Sequence, residues 1–385
     1  MKALTTVPGN TALVVELPIP EPSPSEIRVK VHSVALNPVD ALYVAHPADK
    51  AFNRVVGSDI AGIVDKVGSE ATQWHVGDRV AGLLQGATSG NIRPGGFAEY
   101  AILEADLAIR IPISVSYDQA ATLPLGSLTA AQALFIRLGI NAPFPSPFSF
   151  PLETAPSPSI LIYSAATSIG LYAIELINLL HSAGGQTYRV FATASPKNHA
   201  KLLSLGVEAV FDYRSTTWID DVRSASGGIT HAFDCISEDD TTAHISQTFR
   251  EEGGTIAVIR KAAWNKDGVQ ANVSPLYGAA WSGLGHEIFY NAETLPASLE
   301  WRAFTVALFS FLGRDREKLP IEPNPMRVMP GGLERMVTEG FALFGSSKVA
   351  DREQVGSESD SRPWMKPISG EKTGLSSHNL RTLRA

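Results

Sequence analysis

Apolar and polar residues alternate in short stretches over the first third of the chain. In Glu26-Ile27-Arg28-Val29-Lys30-Val31 every second residue is apolar, the two-residue period of a strand with one buried face. Gly62-Ile63-Val64-Asp65-Lys66-Val67-Gly68 is a second β-branched segment bounded by glycines, and up to about Ile111 such segments follow one another between Gly and Pro, which predicts a small β-rich barrel. The proline-rich stretch from Asn141 to Ser159 reads as an extended connector and a domain boundary. Beyond it, Ile160-Leu161-Ile162-Tyr163 has the uniform apolarity of a strand buried on both faces, and Leu171-Tyr172-Ala173-Ile174-Glu175-Leu176-Ile177 has a helical pattern. Tyr188–Thr193, Ala200–Leu203, Ala209–Phe211, His231–Cys235 and Thr255–Ile259 continue the alternation of strand and helix, the rhythm of a doubly wound parallel sheet. A helix is expected around Trp301–Leu312, after which Ile321–Gly340 returns to the first domain.

The expected organisation is therefore α/β with two cores. Residues 1–155 form the β-rich domain, 156–312 the parallel-sheet domain, 313–345 the return, and 346–385 an atypical, partly disordered tail. Length agrees: 385 residues exceed one ordinary core. Hydrophobic residues make up 44% and charged residues 18%, with 32 Gly and 25 Pro, as in a compact, turn-rich protein. A net charge of −7 with no basic stripe argues against nucleic acid as a partner. Neither a signal-length apolar run nor a bilayer-length one occurs, so a cytoplasmic protein without membrane contact is expected. The single cysteine, Cys235, excludes both an intrachain disulfide and a four-thiolate zinc site. With no His or Lys beside it, Cys235 reads as core rather than nucleophile.

Two places carry candidate chemistry. Small residues fill the turn Ser164-Ala165-Ala166-Thr167-Ser168-Ile169-Gly170 between the first strand and helix of the parallel sheet, where helix N–H groups can face a pyrophosphate. The same segment also fits an ordinary strand-turn-helix. At the end of the second strand, Thr193-Ala194-Ser195-Pro196-Lys197-Asn198 has no carboxylate for a ribose 2′-hydroxyl and offers a cation instead, which favours a 2′-phosphate and hence NADPH. Ser195 before Pro196 is also a standard helix start, and both roles can hold together.

The first domain carries Asn37-Pro38-Val39-Asp40, Gly57-Ser58-Asp59, Val76-Gly77-Asp78-Arg79-Val80 and Gly95-Gly96-Phe97-Ala98-Glu99-Tyr100. On these motifs the chain resembles the medium-chain dehydrogenase/reductases over nearly its full length, with a GroES-like catalytic domain and a Rossmann domain implied. Zinc-binding members hold Cys and Gly-His-Glu at the places of Asn37–Asp40 and Gly57–Asp59, so no metal is expected. The further segments Asn37–Tyr43, Leu83–Ala87, Leu123–Gln132 and Phe211–Arg214 resemble the zinc-independent trans-acting enoyl reductases of fungal polyketide synthase and synthase–peptide synthetase pathways.

That resemblance implies roles residue by residue. Thr167, Ser168, Ile169 and Gly170 would hold the pyrophosphate. Ser195, Pro196, Lys197, Asn198 and Tyr213 would surround the 2′-phosphate. Val39, Asp40, Ala41, Leu42, Val258 and Ile259 would border the nicotinamide. Thr129, Ala130, Ala131, Gln132, Ala133, Leu134, Phe135, Ile136 and Arg137, together with Tyr277, Gly278, Ala279, Ala280 and Trp281, would line the acyl channel. Some relatives carry Lys at the place of Leu42, so a cationic role there does not transfer. Asp40 and Asp59 are weighed as proton carriers against a structural role, and the catalytic residues stay unassigned. Relatives follow Ser-Gly-Glu-Lys with an apolar strand; after Lys372 none is expected here, which leaves an open sheet edge.

The implied activity is reduction of an α,β-unsaturated acyl thioester by NADPH, the substrate tethered to the carrier domain of a partner synthase and the enzyme monomeric. A free-standing quinone or enone reductase would share the cofactor residues, and a non-catalytic partner of the synthase would bind NADPH without turnover.

Overall fold

The computed structural model describes residues 1–47, 52–88, 93–152, 158–261, 263–290, 293–329, 331–344 and 381–384. Strands β1 (Lys2–Val7), β2 (Thr11–Glu16), β3 (Glu26–Leu36), β4 (Asp59–Val67), β5 (Arg79–Leu83), β6 (Tyr100–Glu104) and β7 (Ala108–Arg110) come first. There follow β8 (Ser159–Tyr163), β9 (Arg189–Thr193), β10 (Ala209–Phe211), β11 (His231–Asp234), β12 (Gly254–Val258) and β13 (Val273–Tyr277). The last are β14 (Ile288–Tyr290), β15 (Glu293–Leu295) and β16 (Arg381–Arg384).

Two compact units form. The first holds Met1–Leu125, residues 281–344 and residues 381–384, and the second holds Gly126–Ala280. These limits differ from the sequence expectation, which parted the domains in the proline-rich connector and at Leu312. The helix Pro124–Gln132 runs on into a wider π turn, Ala133–Arg137, that packs against β12. The helix Leu299–Leu312 packs on β7, and its Arg302 donates to Asp106 at 3.0 Å and pairs with Glu104 at 2.7 Å. Packing partners, not connector composition, set the division.

In the first unit the antiparallel order is β16-β3-β4-β5-β7, with β6 also on β3. The alternation read in β3 is real: Ile27, Val29 and Val31 are buried with Leu4, Ile60, Val64 and Phe97 in one core. Strand β3 is eleven residues long. β6 covers its first half, Glu26–Lys30, and β16 pairs antiparallel with Ser33–Leu36. The expected open edge is thus corrected, because β3 extends past β6 and exposes a ladder that the chain end satisfies. The expected tail between Ser346 and Lys366, and the segment Ile368–His378, lie outside the described residues.

In the second unit six strands pair in parallel in the order β10-β9-β8-β11-β12-β13. Numbered within the unit this is 3-2-1-4-5-6, the doubly wound order with its reversal between β8 and β11. Strand β8 is buried throughout, as its unbroken apolarity requires. No helix among the described residues is long and apolar enough to cross a membrane.

Candidate functional site

Ligands of doubly wound sheets sit beyond the carboxyl ends of the strands near the reversal. In the second unit that edge begins at the turn after β8. Thr193 ties it down: its Oγ1 accepts from Ser164 N at 2.8 Å and its carbonyl from Ala165 N at 2.9 Å. Ser164 takes a left-handed φ of 57°, which turns the chain into the helix Ser168–Ser182. Thr167 is its N-cap, with Oγ1 accepting from Gly170 N at 3.2 Å. The remaining first-turn N–H groups of a helix this long face the edge and suit an anion. Gly170 packs against the turn; a Cβ there would lie 2.7 Å from the Ala165 backbone. Gly170→Ala should therefore displace the turn and weaken dinucleotide binding at least roughly tenfold, at a stability cost of about 1–3 kcal/mol. Calorimetric titration and a thermal melt check both, and unchanged affinity would separate the turn from the cofactor.

Beyond β9, Ser195 stands at the N-cap of the 3₁₀ turn Pro196–Asn198, yet its side chain makes no capping hydrogen bond. The cap role weighed in the sequence is therefore not the one its hydroxyl performs. Lys197 is exposed and makes no ion pair among the described residues. Tyr213 is half-buried, its ring 6.4 Å edge-on from Tyr163 and 5.4 Å from the Arg214 guanidinium carbon. Two acids near these strands are held by arginines. Glu208 accepts from Arg189 Nε at 2.9 Å at the amino end of β9, and Asp212 accepts from Arg214 N and Nε, both at 3.1 Å. A surface hollow lined by Gly139, Pro143, Leu152, Gly184 and Tyr188 lies by the C-terminus of the helix Ser168–Ser182. That is the amino edge of the sheet, away from this turn.

The loop after β11 supports the middle of the carboxyl edge. Buried Asp234 accepts from Ile236 N at 3.0 Å, Ser237 N at 2.8 Å, Thr241 Oγ1 at 2.8 Å and Thr242 Oγ1 at 3.0 Å. Ser237 Oγ in turn accepts from Ile259 N at 3.0 Å and so fixes the end of β12. Sequence reasoning missed Asp234, whose four donors have no spacing signature. Val258 is fully buried and Ile259 half-buried, so only the latter presents its side chain at this edge. Cys235 is buried and burial pushes its thiol well above the usual range, as expected of a core residue.

Among the residues expected along the acyl channel, Thr129 and Ile136 are half-buried, whereas Ala130, Ala131, Gln132, Ala133, Leu134, Phe135 and Arg137 are buried. Tyr277, Gly278 and Ala280 are half-buried and Ala279 is buried. Gln132 Nε2 donates to Ala280 O at 3.2 Å, which ties the two segments together inside the second unit. Trp281 belongs to the first unit, where its ring meets Tyr290 edge-on at 6.3 Å.

Val39, Asp40, Ala41 and Leu42 also lie in the first unit, in the helix Pro38–Ala45. Asp40 is fully buried and accepts from Asn37 N at 2.9 Å and Ser58 Oγ at 2.7 Å. Asp59, equally buried, accepts from Asn37 Nδ2 and from Leu125 N, both at 2.9 Å. Burial pushes the Asp40 carboxyl up to about 7 against those donors, and pushes Asp59 well above the usual carboxylate range, with Asp40 adding repulsion. Asn37 and Ser58 are engaged as donors to these two acids. Among the described residues no three His, Cys, Asp or Glu side chains gather as metal ligands do.

Comparison with known proteins fits this architecture. Residues 23–113 match the alcohol dehydrogenase GroES-like domain. The trans-enoyl reductase ACTTS2 of Alternaria alternata is 31% identical over 353 residues, 91% of this chain and 96% of that one. The trans-enoyl reductase himH of Aspergillus japonicus is 33% identical over 329 residues, 85% of this chain and 88% of that one. Among solved structures, the CurK enoyl reductase superposes with a TM-score of 0.69 at 20% identity, covering 100% of this chain and 98% of its own. The quinone oxidoreductase of Coxiella burnetii gives 0.64 at 20% identity, covering 100% and 99%. With nearly the whole chain matched above 30% identity, the protein belongs to the fungal trans-enoyl reductases, oxidoreductases of the medium-chain dehydrogenase/reductase superfamily that work with a nicotinamide cofactor.

Proposed function

We propose that the chain reduces the α,β-unsaturated acyl thioester of a growing polyketide, presented by the carrier domain of a separate synthase, with NADPH and without a metal. The observation that carries this reading is the near-full-length identity to relatives named trans-enoyl reductases. Bound NADPH supplies a hydride for the β-carbon, and the α-carbon takes a proton. The residues present fit that cofactor. Thr167, Ser168, Ile169 and Gly170 would hold the pyrophosphate, and the close approach at Gly170 supports this, since any larger residue would fill the turn. Ser195, Pro196, Lys197, Asn198 and Tyr213 would take the 2′-phosphate, supported by a hydroxyl not spent on capping and a cation without an ion-pair partner among the described residues. Ile259 and the backbone at Val258, steadied by Ser237, would border the nicotinamide. Asp40 fits a supporting role better than contact with substrate, because it is fully buried under Asn37 and Ser58.

Reconstitution with a partner synthase tests the reading. NADPH consumption and a saturated product, undiminished by a chelator, are expected only when the chain is present. Turnover of free enones but not of carrier-bound thioesters would favour a free-standing reductase, and NADPH binding with no turnover would favour a non-catalytic partner.

A further inference from the structure

Charged and amide side chains taken out of water nearly always find partners, because an unpaired one costs free energy that folding cannot easily offset. Arg137 departs from this. It is 8% exposed, and Nε, Nη1 and Nη2 all lack a hydrogen-bond partner among the described residues. Burial brings its guanidinium down to about 10, so it stays cationic at neutral pH. Gln132, with no exposed surface, shows the complementary fault: Nε2 is used on Ala280 O, while Oε1 has no donor.

The two faults share one place. Gln132 ends the helix Pro124–Gln132 and Arg137 ends the π turn Ala133–Arg137 that follows. A π turn closes over five residues, so positions 132 and 137 come onto one face. Both side chains lie against the segment after β13. Gln132 bonds Ala280, and Arg137 crosses Gly278, where a Cβ would come 2.2 Å from Nη1. Gly278 directly follows Tyr277, the last residue of β13, and the π turn packs on β12. Donors without an acceptor and an acceptor without a donor therefore lie against the segment that follows the carboxyl end of β13, on the same edge of the sheet as the turn after β8.

We propose that Gln132 and Arg137 form a recognition site for a hydroxyl group on the bound acyl chain, the guanidinium donating to the hydroxyl oxygen and Gln132 Oε1 accepting its proton. The assignment rests on the acyl-thioester reading above. One hydroxyl engages both side chains, its oxygen accepting from one or two of the guanidinium N–H groups and its proton going to Gln132 Oε1, whereas a keto oxygen engages only the arginine and a hydrocarbon chain neither. A site built around a polar substituent rejects the analogue that lacks it, since its own buried groups are then left unpaired. Gln132 and Arg137 are thus specificity residues that select oxygenated acyl chains over plain ones of equal length.

The test is binding of saturated acyl-pantetheine thioesters to the full chain with NADP⁺ present, each acyl chain carrying either no hydroxyl or one hydroxyl at successive positions. The wild type should bind the best hydroxylated member more tightly than the plain chain, by roughly tenfold or more. Arg137→Met should bring that ratio close to one, and Gln132→Met should lower it. Arg137→Met should also fold, because replacing an unpaired buried cation by an apolar chain removes a penalty. If it does not fold, Arg137→Lys, which keeps the charge but loses the planar fork, should still reduce the ratio. Equal binding of all members by the wild type, or a preference that survives the Arg137 variants, overturns the assignment. NADPH consumption is scored separately with the corresponding enoyl thioesters. A wild type that shows the hydroxyl preference in binding yet reduces none of them would count against the enoyl reductase reading and uphold the hydroxyl site.

Discussion

Asp40 should contribute a loss of stability as pH rises from about 4 to about 7, and Asp40→Asn should remove that contribution. Asp40 has no exposed surface, and its folded carboxyl is pushed from 3.8 to about 7 by burial. Between those values the folded chain keeps a proton that the unfolded chain releases. The folded state then binds more protons, so unfolding becomes easier with each step up in pH. The stabilisation is complete below the unfolded value, is lost across the window, and changes no further above the folded one. At about 1.4 kcal/mol per pH unit, a gap of roughly 3 units corresponds to ~4 kcal/mol as an upper figure. Asp59 adds a slope of the same sign, since burial raises it too. An asparagine at 40 can accept from Asn37 N through Oδ1 and donate to Ser58 Oγ through Nδ2, so it reproduces the neutral acid. Urea titrations at pH 4.5, 6 and 8 should show Asp40→Asn near wild type at the lowest pH and more stable by about 1–3 kcal/mol at the highest. Parallel curves for the two proteins would mean that Asp40 is ionised in its native setting.

Much of the frame was legible because local pattern and tertiary burial coincide. The period of two in Glu26–Val31 survives as the buried Ile27, Val29 and Val31, and the uniform apolarity of Ile160–Tyr163 survives as a strand covered on both faces. The turn after β8 was legible as a strand-turn-helix through its small residues. Other features obey no local rule. Arg381-Thr382-Leu383-Arg384 has one strongly apolar residue and no strand signature; what recruits it is the length of β3 beyond β6. The π turn Ala133–Arg137 is composed like any apolar helix, so its widening and the burial of Arg137 were invisible. Asp40 and Asp59 stand in the sequence as proton carriers or structural acids alike, and the donors that hold them come from Asn37, Ser58 and Leu125, which only the fold assembles.

Cofactor choice should prove sensitive to two side chains beyond β9. If Lys197 and Tyr213 take the 2′-phosphate, the wild type will bind NADPH far more tightly than NADH, which lacks that group. Hydrogen bonds to a charged partner contribute about 1.5–3 kcal/mol each, so losing one weakens binding roughly 10- to 100-fold. Lys197→Glu replaces attraction by repulsion at an exposed position with no ion pair among the described residues, so its cost should fall on NADPH alone and leave the fold intact. Tyr213→Phe deletes one donor while keeping the ring that packs against Tyr163 and under Arg214, and its loss should be smaller but equally confined to NADPH. Fluorescence titration with both dinucleotides separates the cases. Parallel losses for NADPH and NADH would place these residues against the adenosine that both share, and an unchanged NADPH affinity in Lys197→Glu would move the 2′-phosphate away from this strand end altogether.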